Sequence, residues 1–132
     1  MNNQNGAGYS LHGNGLQGTL PEELGLLTSL TTLTIARNPL LISKIPSSFR
    51  NLTKLRQLTL TFNNLQGPWT EGLLEEMTDL TGLYLNYNDL NMTLPVDLGN
   101  RTSLVGLGLA GNKIHGGIPS EYGKLYSLGE YS

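Results

Sequence analysis

Leu60-Thr61-Phe62-Asn63-Asn64-Leu65 is the middle copy of a frame that occurs five times: apolar, two variable residues, Asn, one variable residue, apolar. The other copies are Leu11-His12-Gly13-Asn14-Gly15-Leu16, Ile35-Ala36-Arg37-Asn38-Pro39-Leu40, Leu85-Asn86-Tyr87-Asn88-Asp89-Leu90 and Leu109-Ala110-Gly111-Asn112-Lys113-Ile114. The asparagines at 14, 38, 63, 88 and 112 therefore recur every 24, 25, 25 and 24 residues. A fixed period of this length marks a solenoid, in which each unit buries its apolar face only by stacking on its neighbours.

Outward from the asparagine, the rest of each unit falls into line. A leucine opens the units at Leu30, Leu55, Leu80, Leu104 and Leu128. Three residues later come Leu33, Leu58, Leu83, Leu107 and Tyr131, and two further on Ile35, Leu60, Leu85 and Leu109. This alternation has period two, which predicts a short strand with one buried face. Six strands are expected, near Gly8–Leu11, Thr32–Ile35, Gln57–Leu60, Gly82–Leu85, Gly106–Leu109 and Gly129–Tyr131, stacked as a parallel sheet. Where each strand ends, an Asn amide offers both donors and an acceptor, so it can bond backbone of its own coil and of an adjacent one. Asn14, Asn38, Asn63, Asn88 and Asn112 are read as a structural ladder on this ground.

The second half of each unit carries a proline: Gly18-Thr19-Leu20-Pro21, Ile45-Pro46, Leu94-Pro95 and Ile118-Pro119. Proline suits the first position of a helical turn. The acidic Glu22, Glu23, Asp97 and Glu121 follow it, where a helix N-terminus favours negative charge. Gly25, Gly99 and Gly123 come soon after and are read as limiting these segments to one or two 3₁₀-like turns.

The pattern resembles the plant-type leucine-rich repeat, whose frame is LxxLxLxxNxLxGxIPxxLGxL. Gly18-Thr19-Leu20-Pro21-Glu22-Glu23-Leu24-Gly25 and Gly117-Ile118-Pro119-Ser120-Glu121-Tyr122-Gly123-Lys124-Leu125 are near-complete copies. The resemblance runs over roughly residues 9–131. It implies an α/β repeat solenoid: a right-handed superhelix with a parallel β-sheet on its concave face and short 3₁₀ turns on its convex side. It further implies an extracellular receptor, receptor-like protein or inhibitor, without catalysis. We divide the chain into a polar tail or partial repeat at 1–8 and a repeat domain at 9–132. The family usually closes its ends with cysteine-bearing caps. Here the chain has no cysteine and starts and stops mid-unit, so a piece of a larger ectodomain, or one covered by a partner, is expected.

Departures from the frame concentrate in the middle. One residue is added between Asn38 and Pro46, and the usual glycine gives way to Leu41-Ile42-Ser43. Thr70 stands where proline belongs, after Pro68-Trp69, and the outer segment Glu71–Met77 is one residue longer. Arg101 occupies a column filled elsewhere by Leu27, Leu52, Met77 and Leu125. Its stem is expected to pack with its head in water, or the coil to be displaced.

Bulk properties narrow the function. A net charge of −2 with interspersed signs argues against a nucleic-acid surface or a polybasic membrane patch. The polar start, Met1-Asn2-Asn3-Gln4-Asn5-Gly6, lacks the apolar core of a secretory signal, and no run reaches a membrane span. Three sequons, Asn51-Leu52-Thr53, Asn91-Met92-Thr93 and Asn100-Arg101-Thr102, point to a secreted or cell-surface glycoprotein. His12 and His115 have no partner carboxylate at motif spacing, so neither an enzyme, a metal site nor a cofactor is expected.

What remains is the outward face of the strands. The candidate ligand-binding set is Thr34, Arg37, Gln57, Thr59, Thr61, Phe62, Tyr84, Asn86 and Tyr87. Exposed aromatic and Arg side chains anchor interfaces. In the family, aromatic residues just before the Asn often cover the coil edge. Phe62 and Tyr87 are therefore read first as structural, and Tyr84 as the stronger anchor. Gly106, Gly108, Ala110 and Gly111 strip the last full coil, to ease packing or to let a ligand backbone approach. The expected partner is a protein, peptide or glycan, with no membrane contact by this segment. Two alternatives are kept: a structural cell-wall or surface assembly, and an ice-binding solenoid using Thr31, Thr32, Thr34, Thr59 and Thr61.

Overall fold

The computed structural model describes the backbone of residues 7–131 and the side chains of residues 7–129. Of the 1–8 segment, the first six residues lie outside the described residues, while Ala7 and Gly8 belong to the first strand.

Six parallel strands form one sheet in chain order: Ala7–His12, Leu30–Ala36, Gln57–Thr59, Gly82–Tyr84, Gly106–Gly108 and Glu130–Tyr131. Register follows the repeat: Leu33 opposes Leu58, Leu58 opposes Leu83 and Leu83 opposes Leu107. The first two strands outrun expectation, and the next three stop one residue early, at Thr59, Tyr84 and Gly108. Backbone pairing nonetheless continues past those ends, as in Leu60 N–H to Tyr84 O at 2.8 Å and Leu85 N–H to Gly108 O at 2.8 Å.

The alternating leucines all turn to one continuous core. Leu33, Ile35, Leu58, Leu60, Leu83 and Leu85 have no exposed surface. From the outer turns, Phe49, Leu52, Leu73, Leu74, Met77 and Leu98 meet them with none either. Each such side chain is worth about 1.5–3 kcal/mol of burial. A single coil cannot realise that alone, because each leucine is walled in part by the adjacent coils.

The convex side carries 3₁₀ turns at Glu22–Leu26, Ser47–Asn51 and Ser120–Lys124 and one turn of α-helix at Val96–Gly99. Two details differ from expectation. Each proline sits one position earlier, at the N-cap, where Pro21 O, Pro46 O and Pro119 O accept from Leu24, Phe49 and Tyr122 N–H. The glycines, moreover, do more than limit the turns, where Gly99 is the last residue and Gly25 and Gly123 are next to last. Gly25 and Gly99 also let successive turns approach closely: a Cβ on Gly25 would stand 2.5 Å from Ser48 Cβ, and one on Gly99 would stand 2.8 Å from Glu121 Cβ. Glu71–Glu76, left open by its sequence, is a run of single turns closed by Leu73 N–H to Thr70 O, Glu75 N–H to Gly72 O and Met77 N–H to Leu74 O. Arg101 N–H at Nη1 reaches Glu75 O at 3.2 Å, so its head is held by the preceding coil rather than by water alone.

A second set of strands, unforeseen from sequence, runs along the flank. Gln17–Gly18, Leu40–Ser43 and Asn64–Leu65 form one parallel sheet, and Asn91–Thr93 with Lys113–His115 another.

Candidate functional site

Every coil leaves its concave strand through the same kink. The residue before each asparagine has positive φ: Gly13 at 63°, Arg37 at 59°, Phe62 at 57°, Tyr87 at 58° and Gly111 at 73°. In the coils after the first, this left-handed bend turns the following Asn inward: Asn38 and Asn63 are buried, Asn88 and Asn112 half-buried, while Asn14 stays exposed. The N–H of the kink residue holds the next coil: Gly13 to Ala36 O, Arg37 to Thr61 O, Phe62 to Asn86 O and Tyr87 to Ala110 O, at 2.8 to 3.1 Å. For a residue with a Cβ the left-handed region costs about 1–2 kcal/mol.

The buried asparagines bond backward. Asn63 Nδ2 donates to Ile35 O at 2.7 Å and to its own coil's Leu60 O at 3.0 Å, while Oδ1 accepts from Asn38 N–H at 3.0 Å. Asn38, Asn88 and Asn112 repeat this scheme towards the coil before each, and Asn38 Oδ1 takes the N–H of Asn14. The amides are thus linked through backbone rather than to one another. Asn38 is fully buried, and Asn63 is 9% exposed.

The three non-glycine kink residues stack. The Arg37 guanidinium carbon lies 5.1 Å from the Phe62 ring centroid. The Phe62 and Tyr87 rings are 4.6 Å apart and 17° from parallel. An aromatic pair contributes about 0.5–1.5 kcal/mol and an exposed cation–π contact about 0.5–1 kcal/mol, so the column offsets part of the strain. Its outer edges remain open, with Phe62 43% and Tyr87 53% exposed.

Next to this column, Thr34, Thr59 and Tyr84 stand in register with Gly108, and Thr32 and Gln57 with Gly82 and Gly106. Thr34, Thr59, Thr61, Tyr84 and Asn86 are half-buried and Gln57 is exposed. The side chains of the fourth coil lean onto the fifth. Tyr84 lies across Gly106, Asn86 across Gly108 and Tyr87 across Gly111, each where a Cβ would stand. The glycines of the last full coil therefore leave room for neighbouring side chains. All nine candidate residues lie on one surface, with Arg37, Phe62 and Tyr87 along its rim.

The sequon asparagines lie elsewhere and are exposed: Asn51 ends a 3₁₀ turn, Asn100 caps the α-helical turn and Asn91 lies on the flank. His12 is in the first strand, and His115 is on the flank with Nε2 3.1 Å from Asn91 Oδ1. Among the described residues no group of three His, Asp or Glu is placed to hold a metal.

The repeat geometry agrees with comparison. A model of the Leucine Rich Repeat family matches residues 29–52. Receptor-like protein 41 of Arabidopsis thaliana is 35% identical over 122 residues, covering 91% of this chain. The chain is a leucine-rich-repeat solenoid, similar to plant receptor-like proteins and receptor ectodomains. It spans 14% of the length of that relative. The leucine-rich-repeat ectodomain of the Arabidopsis receptor kinase HAESA, solved with an IDA peptide hormone ligand, has a TM-score of 0.81 at 32% identity. That likeness covers 92% of this chain and 21% of HAESA's. A plant ice-binding protein has a TM-score of 0.80 at 32% identity, covering 88% of this chain and 37% of its own. No helix among the described residues of this leucine-rich repeat chain is long and apolar enough to cross a membrane.

Sequence reasoning passed over one feature of the flank. Trp69 lines two cavities there, one beside Met92–Asp97 and one beside Ser43–Ser47. A lone tryptophan in one of the outer segments that break the repeat was the available signal.

Proposed function

We propose that this chain is a non-enzymatic recognition module of a secreted or cell-surface plant protein, and that it binds an extended peptide or a protein segment across its concave face. The observation that carries the reading is the rim of Arg37, Phe62 and Tyr87 standing exposed beside Thr34, Thr59, Thr61, Tyr84 and Asn86. Such a surface offers donors, acceptors and aromatic edges over several coils, which suits a ligand that runs along the stack. HAESA, whose fold is similar, was solved with a peptide hormone. Capture of peptides from plant extracellular fluid, compared between the native chain and Tyr84→Ala and Thr59→Lys variants, tests the reading. Loss in both variants is expected. Equal capture by all three would move the site off the concave face.

One observation favours a second reading. Thr34 and Thr59 are register partners, Thr32 lies beside them, and an ice-binding plant protein has a similar fold. Tyr84 interrupts the column after two coils. Thermal hysteresis in the native chain, lost in Thr34→Tyr with Thr59→Tyr, would establish ice binding. None at high concentration would end it.

A further inference from the structure

The flank carries a cleft of about 500 Å³ between the coils that follow Asn63 and Asn88. That volume lies within the ~300–1,000 Å³ typical of small-ligand sites. The cleft has a local cause. The lateral sheet is interrupted here, Asn64–Leu65 belonging to one sheet and Asn91–Thr93 to the other. Pro68 lies at the interruption, and proline has no N–H to offer a neighbouring strand. Pro68 and Trp69 line the cleft from one coil, and Leu94, Asn100 and Arg101 from the next.

Two buried donors at this cleft, Trp69 Nε1 and Arg101 Nε, find no acceptor among the described residues. Orphans of this kind are rare in folded proteins and ask for an explanation. The cleft also contains its own attachment point. Asn100 begins the sequon Asn100-Arg101-Thr102 and is exposed. Its Oδ1 accepts from Lys124 Nζ of the following coil at 3.4 Å. Nδ2, the atom a glycan would occupy, is the other branch of the amide.

We propose that the cleft seats an N-linked glycan carried by Asn100, with its first N-acetylglucosamine against Trp69. The proposal rests on the secreted reading above. Attachment forms a bond from Asn100 Nδ2 to the sugar's anomeric carbon. The bond from that carbon to the diphosphate of a lipid-linked donor breaks, the diphosphate leaves with the electron pair, and Nδ2 gives up one proton. Once attached, the C–H face of the ring packs on the indole. The acetamido and hydroxyl oxygens supply the acceptors that Trp69 Nε1 and Arg101 Nε lack after small side-chain rotations. Glu71 and Glu75, which also line the cleft, accept from sugar hydroxyls. The glycan on Asn51 has no such seat, because Asn51 lies outside both flank cavities.

Trp69 is the chain's single tryptophan, so its fluorescence reads the cleft directly. The chain is secreted from plant cells and occupancy at each sequon is determined by glycopeptide mass. Acrylamide quenching of Trp69 is then compared among the native chain, Thr102→Ala, which removes the sequon and keeps Asn100, and Thr53→Ala as control. Quenching is expected to rise severalfold in Thr102→Ala and to stay unchanged in Thr53→Ala. Under native conditions an endoglycosidase should release the Asn100 glycan severalfold more slowly than the Asn51 glycan, and Trp69→Ala should bring the two rates together. Occupied Asn51 with bare Asn100, or occupied Asn100 with quenching indifferent to Thr102→Ala, overturns the seat and leaves the secreted reading standing. A secreted chain with no sequon occupied overturns both.

Discussion

Tyr84 lies over Gly106: a Cβ built on that glycine would stand 2.8 Å from the ring's Cζ and closer still to its hydroxyl. The two residues belong to successive coils, and the bareness of one lets the other lie flat. Gly106→Ala should therefore lift the ring and cost about 1 kcal/mol, at the low end of overpacking penalties because the obstacle is the far end of one side chain. In a Tyr84→Ala background the same substitution should cost almost nothing. Thermal melts of the two singles and the double give the coupling. Additive effects would place the Tyr84 ring elsewhere.

Asn63 binds three backbone groups, and Asn63→Ala strands two of them in the interior, Asn38 N–H and Ile35 O, while Leu60 O keeps the Asn88 Nδ2 donor. Each unmet buried group costs about 1–3 kcal/mol, with water admitted at the gap recovering part. We expect a net loss of about 3 kcal/mol in chemical denaturation. The loss should also exceed that of Asn112→Ala, whose residue is only half-buried. A melt unmoved by Asn63→Ala would remove the amide from the list of what holds the coils together.

The parts legible in the sequence are those that repeat. Leu33, Leu58, Leu83 and Leu107 announce a sheet because one column recurs in every coil. The flank strands stay hidden: Gln17–Gly18 and Asn64–Leu65 are two residues long, too short for any alternation to appear. Gly13 and Gly111 hint at the left-handed kink, but Arg37, Phe62 and Tyr87 disguise it, since residues with a Cβ normally avoid that region. The lean of Tyr84, Asn86 and Tyr87 onto the next coil could not be read either. It depends on which side chains happen to face three glycines, and no period encodes that.

Acid should loosen the convex side at one identifiable point. The Ser48 hydroxyl, then its N–H, with Ser47 adding to them, hold the exposed Glu22 carboxyl below the ordinary carboxylate value. Ser48 N–H meets Glu22 Oε2 at 3.0 Å. A lowered folded-state pKa stabilises above the unfolded value, and that stabilisation disappears as pH falls through the folded value. Glu22→Gln should therefore flatten the acid side of the stability profile by lowering stability slightly near neutrality and leaving it unchanged in acid. An unchanged acid slope would mean that the Glu22–Ser48 contact is not maintained in solution.

Phe62 offers the most discriminating substitution, because its backbone and its side chain make opposite demands. At φ 57° a Cβ is a burden, yet the ring stacks on Tyr87 and receives Arg37. Both Phe62→Ala and Phe62→Gly lose the stack. Only alanine keeps the strain, which is worth about 1–2 kcal/mol in the left-handed region. Glycine pays part of this back in unfolded-state entropy, about 0.5–1 kcal/mol. Phe62→Gly should therefore be the more stable of the two by roughly 0.5–1 kcal/mol, the reverse of the order at an ordinary strand position. Paired denaturation curves measure this difference directly. Alanine above glycine would mean that the chain does not leave its strand through a left-handed kink at residue 62, and the inward placement of Asn63 would lose its backbone cause.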